Sequence, residues 1–201
     1  MKKILVFFRK NWLLVLILIL GFFLRAYKAK ELFLYSHDQD LIGWIIRDIV
    51  ENKHFRLIGQ ETSVHGVFIG PLFYYYLIPF YLLFKMDPVG GLFGSILLGV
   101  MTNFSYYLVF SRVFNKKVGI IAALIYATSY FMIFNDRETV PTTPVMLWLV
   151  WYFYGLNLLL MGKRSGYILV GILTGLIWNF IMALAILIPL APLAIYLSKK
   201  G

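Results

Sequence analysis

The stretch VFIGPLFYYYLIPFYLLF, residues 67–84, decides how the whole chain is threaded. It is apolar enough to cross a bilayer, yet it carries Pro71 and Pro79 and four tyrosines, Tyr74, Tyr75, Tyr76 and Tyr81, which suit a lipid–water boundary. If it crosses, the basic connectors at Arg112, Lys116 and Lys117 and at Lys163 and Arg164 fall outside, against the positive-inside tendency. If it lies along the outer leaflet, the inner segments carry eleven Lys/Arg and no acid, and the outer segments carry eight Lys/Arg and all nine acids. That partition selects the second threading, with 67–84 as an interfacial or shallowly re-entrant helix.

Working outward, the rest is consistent with a membrane protein. The 201 residues are 61% hydrophobic with a mean hydropathy of +0.82, and several apolar runs approach the ~20 residues of a spanning helix. Cysteine is absent, which removes disulfides, thiolate metal sites and cysteine nucleophiles. The net charge of +10 sits between apolar runs rather than on one soluble face, so it marks topology, not nucleic-acid binding. The basic start followed by an apolar core, with no small-residue cleavage site, reads as an uncleaved signal anchor. The expectation is an all-α, multi-pass protein of the plasma membrane with a cytoplasmic N-terminus and about six spans, at 11–27, 89–110, 118–134, 144–161, 167–180 and 182–197. The last two come from one run of 31 residues, divided near Trp178 and Asn179 because a mid-membrane asparagine is costly unless it meets an aqueous cavity. The first external loop, 28–88, holds a second surface helix at 41–52, with Leu41, Ile42, Ile45, Ile46 and Ile49 in one apolar stripe. Arg25, Lys28 and Lys30 end the first span and are expected to extend their charges to the far interface.

Residues 25–88 gather seven of the nine acids and all three histidines. In HDQD, 37–40, two carboxylates precede the surface helix. They could take a proton from an acceptor hydroxyl or hold a hard divalent cation, and equally one could cap the helix while the other is solvated. The second polar loop adds Asp136, Arg137 and Glu138 on the same side; alone it reads as a solvated connector with a local ion pair. The expected roles are Asp38, Asp40 and Glu138 in catalysis, Asp38, Asp40 and Asp136 on a Mg or Mn ion, and Arg47, Lys85, Arg137, His65 and Tyr75 in substrate binding. The tyrosine-rich stripe reads first as interface packing and second as sugar stacking. His37, His54 and His65 have no zinc-site spacing.

DQDLIGWIIRD (38–48), TSVHGVFIGPLFYYYLIPFYLLFKMDP (62–88), the basic SRVFNKK (111–117), NDRET (135–139) and the break GILTGLIWNF (171–180) together resemble the GT-C fold of integral membrane glycosyltransferases. The kinship includes protein mannosyltransferases and lipid A aminoarabinose transferases. The resemblance implies an inverting transfer of sugar from a polyprenyl-phosphate donor to a lipid, protein or glycan acceptor, with the Asp38 position as the essential acid and a further acid from the second loop. This chain has Thr142 where many relatives carry an acid after the second-loop arginine. Its spans match the N-terminal module of the fold, so a C-terminal partner chain belongs among the expected partners. The rival readings are a non-catalytic or truncated membrane subunit of this fold, and a small transporter, which would want ionisable residues deep in its spans.

Overall fold

The computed structural model describes residues 11–33 and 35–199. The basic residues Lys2, Lys3, Arg9, Lys10 and Lys200 lie outside the described residues. Nine α-helices follow in order: α1 Trp12–Ala26, α2 His37–Glu51, α3 Leu72–Leu83, α4 Val89–Val113, α5 Lys116–Thr128, α6 Tyr130–Asn135, α7 Val145–Leu160, α8 Arg164–Leu176 and α9 Leu190–Ser198. Two 3-10 segments, Ile177–Asn179 and Met182–Leu187, stand between α8 and α9. Among the described residues, α4 alone is long and apolar enough to cross a membrane unaided; of the other expected spans, α1, α7 and Met182–Ser198 are apolar but shorter, as is α3, expected to be interfacial.

The centre of the bundle is α4, which packs on α1, α3, α5 and α7. Its buried face is built of small and weakly polar residues, among them Gly91, Gly94, Ser95, Gly99 and Thr102, which let neighbouring backbones come close. A Cβ at Gly91 would sit 2.9 Å from both Tyr81 and Thr139. One at Gly99 would sit 2.5 Å from Asp136. These two glycines therefore set how closely α3 and the 136–139 loop approach α4.

The helix expected at 67–84 is shorter. Pro71 stands at its N-cap, and α3 runs 12 residues, about 18 Å at 1.5 Å per residue and well short of a ~30 Å hydrocarbon core. It ends in a turn where Lys85 and Met86 take positive φ of 53° and 67°. Asp87 then accepts from the Val89 N–H at 2.8 Å, capping α4. The tyrosines do not behave as boundary anchors. Tyr74 and Tyr81 are fully buried, and Ile42, Ile46 and Ile49 of α2 pack against them with Phe73 and Leu77. The apolar stripe of α2 is thus consumed by α3.

The run expected as one span at 118–134 is divided. Asn115 caps α5 by accepting from the Val118 N–H at 3.1 Å. At Ser129 the backbone turns extended, with φ −65° and ψ 119°, before α6 begins. That break frees the carbonyls of Tyr126 and Ala127 from helical pairing. The break anticipated at Trp178 and Asn179 is present as Ile177–Asn179, and it docks on the first loop: Gly70 N–H donates to the Trp178 carbonyl at 2.9 Å.

Candidate functional site

Ser36 precedes α2, and its N–H donates to Gln39 Oε1 at 2.9 Å, so the helix starts at His37. Asp38 and Asp40 consequently lie within the first helical turn, near its positive end, rather than in a turn before it. Two residues apart on a helix, they face different ways. Asp38 is half-buried and accepts from Gln60 Nε2 at 2.8 Å. Asp40 accepts from the Tyr35 hydroxyl at 2.8 Å and lines a separate pocket of about 190 Å³ with Arg47, Trp44 and Tyr81.

Asp38 opens into a cavity of about 650 Å³, and Glu138 lines it too. Its polar end is completed by Ser36, Gln60, Glu61, Thr62, Ser63 and Thr142, and its apolar wall by Val140, Pro141 and residues 180–183 at the break before Met182–Leu187. Glu61 is already engaged by Gly66 N–H at 2.6 Å and His65 at 3.0 Å. The Glu138 carboxyl accepts no hydrogen bond among the described residues, and burial, then the nearby charge of Asp38, raises its pKa. Gln60 Oε1 is buried and unpaired. Among the described residues, no lysine, arginine or histidine lines this cavity.

The cations expected at a phosphate are elsewhere. Arg47 is exposed, paired to Glu51 at 3.1 Å and laid over Trp44. Lys85 is exposed on the turn after α3. Arg137 donates to the carbonyls of Leu24, Arg25 and Tyr27 at 2.7, 3.0 and 2.8 Å, capping the end of α1. His65 is wholly exposed. The Tyr75 hydroxyl donates to the Arg56 carbonyl at 2.7 Å.

The expected trio Asp38, Asp40 and Asp136 does not assemble. Asp136 is buried and accepts from Arg25 Nε at 2.7 Å and from the Tyr126 hydroxyl at 3.0 Å. Burial raises its pKa, against the pull of Arg25 and the Tyr126 hydroxyl. Arg25 does not reach the interface as expected. It is 0% exposed and donates through Nη1 to the Gly21 and Ala127 carbonyls and through Nη2 to that of Tyr126. Lys28 does remain outside, 3.8 Å from Glu31. His54 turns to Asp48 at 3.0 Å, and no three metal-ligating side chains cluster among the described residues. Gln60 was not foreseen, since nothing in its sequence surroundings marks it. Arg25 carried a signal that went unread: an isolated cation at the end of an apolar run, with Asp136 at the end of another.

The described residues form an all-helical bundle with one cavity lined by both carboxylates and apolar side chains. The family model described as dolichyl-phosphate-mannose-protein mannosyltransferase matches residues 69–200, and the chain belongs to that family, GT-C-type membrane glycosyltransferases. The match begins at Ile69, so Asp38 lies upstream of it and Glu138 within it. Comparison with curated proteins and with solved structures gives no match.

Proposed function

We propose that the chain transfers a sugar from a polyprenyl-phosphate donor to an acceptor hydroxyl on the external face, with inversion. The observation that carries this reading is that Asp38 and Glu138, a hundred positions apart in sequence, line one cavity whose other wall is apolar. Asp38, held by Gln60, takes the proton of the acceptor hydroxyl. The acceptor oxygen bonds to the anomeric carbon as the bond from that carbon to the phosphate oxygen breaks, and the electron pair leaves with polyprenyl phosphate. The apolar wall at 180–183, whose Phe180 also lines a separate groove along Leu108, Trp151 and Leu176, suits the lipid part of the donor.

Positive charge at the departing phosphate is the part this cavity lacks. Asp38 and Glu138, both oxygen donors, would hold a hard divalent cation such as Mg or Mn, which would supply that charge when bound. The same lack favours a second reading, a subunit that needs a C-terminal partner chain to contribute the cation. The test is a transfer assay in vesicles with a polyprenyl-phosphate sugar, using the chain alone, with divalent ions, and with a partner. Transfer that survives in Asp38→Asn overturns the assignment of the base. Activity only with the partner selects the second reading.

A further inference from the structure

We infer that Arg25 and Asp136 are positioning residues that hold Glu138 across the cavity from Asp38; the inference rests on reading those two carboxylates as one site. Three consecutive side chains have three fates. Asp136 is pinned by Arg25 Nε and the Tyr126 hydroxyl, and Arg137 by three carbonyls at the end of α1. Glu138 is held through its backbone, its N–H donating to the Asn135 carbonyl at 3.1 Å and its carbonyl accepting from Thr143 Oγ1 at 2.7 Å, while its carboxyl accepts no hydrogen bond among the described residues. The two arginines form a reciprocal clamp: Arg137 satisfies the last carbonyls of α1, and Arg25 satisfies those that the break at Ser129 leaves open at the end of α5. Arg25 serves acceptors on α1, on α5 and in the 136–138 loop at once, which a planar fork can do and a lysine ammonium cannot.

A buried pair of this kind contributes little net stability over an apolar pair of the same volume. What it supplies is geometry, delivered to the residue two positions further on. Misplacement of a reacting group by about 1 Å can cost ~100-fold in rate, so the expected effect falls on kcat rather than KM.

The absence of cysteine allows spin labels at Ser63→Cys and Thr142→Cys, one in each of the two loops that line the cavity. In Arg25→Met, and in the nearly isosteric Asp136→Asn should the first fail to insert, the distance distribution between the labels is expected to broaden and transfer to fall ~100-fold in kcat. Leu159→Ala is the control: it is buried in a separate cluster with Trp148 and Tyr152, and should lower the thermal midpoint with the distribution unchanged. An unchanged distribution in Asp136→Asn, or equal broadening in Leu159→Ala, overturns the inference. The distances are read without turnover, so an inactive parent chain would count against the proposed function and leave the positioning result intact.

Discussion

Asp136 and Glu138 are two residues apart in one loop, and they have been treated oppositely. The first is buried, ion-paired and hydrogen-bonded; the second is half-exposed in a cavity that another carboxylate also lines, and among the described residues nothing is bonded to its carboxyl oxygens. A buried charge persists only where its partners are built in. An unpaired carboxylate facing a like charge is held there at a cost, and such costs concentrate where a ligand relieves them. The difference separates a carboxylate whose partners are built into the fold from one whose oxygens are left open to the cavity.

The comparison breaks most sharply at Asp38. Replacing it by Asn should lower transfer by about 100- to 10,000-fold, the range of a general base, with membrane insertion unchanged in a protease-protection assay. Asp136→Leu should instead cost ~3–5 kcal/mol of stability by stranding Arg25, and the double variant with Arg25→Met should regain most of the lost thermal midpoint. Glu138→Gln sharpens the contrast through pH. The folded state holds the Glu138 proton more tightly than the unfolded chain, whose value is near 4.5, so wild-type stability falls as pH rises from there through the raised folded value. The Gln variant should lack that fall and be the more stable protein above it, as followed by thermal unfolding in detergent. Asp40→Asn should have the smallest effect, less than about tenfold on transfer against the 100-fold or more of a general base, because its side chain faces the Tyr35 and Arg47 pocket.

Much of the helical frame was legible. Apolar periodicity located α2, and the cost of Asn179 located the break at Ile177–Asn179, which docks on residues 70–72 of the first loop. Charge partition brought the two acidic segments together, and they do share a cavity. Periodicity does not say what an apolar face meets, so Tyr74 and Tyr81 read as boundary residues although α2 covers them. A cation at the end of a span reads as an anchor unless its partner is known, and the partner of Arg25 lies 111 residues away. Nor does composition reveal that the eight cations of residues 25–88 and 135–143 leave the cavity without one, because Arg137 goes to backbone carbonyls and Arg47 to Glu51.

The kink at Ser129 bears on biogenesis. The guanidinium at the end of the first helix cannot leave water until the carbonyls of 126 and 127 and the carboxylate of 136 have been synthesised, 101 to 111 positions later. At translation rates of ~5–20 residues per second, that is a delay of roughly 5–20 seconds. During it the Arg25 guanidinium needs water or other stand-in acceptors, and α1 takes its final packing only once α5 and the 136–138 loop have arrived.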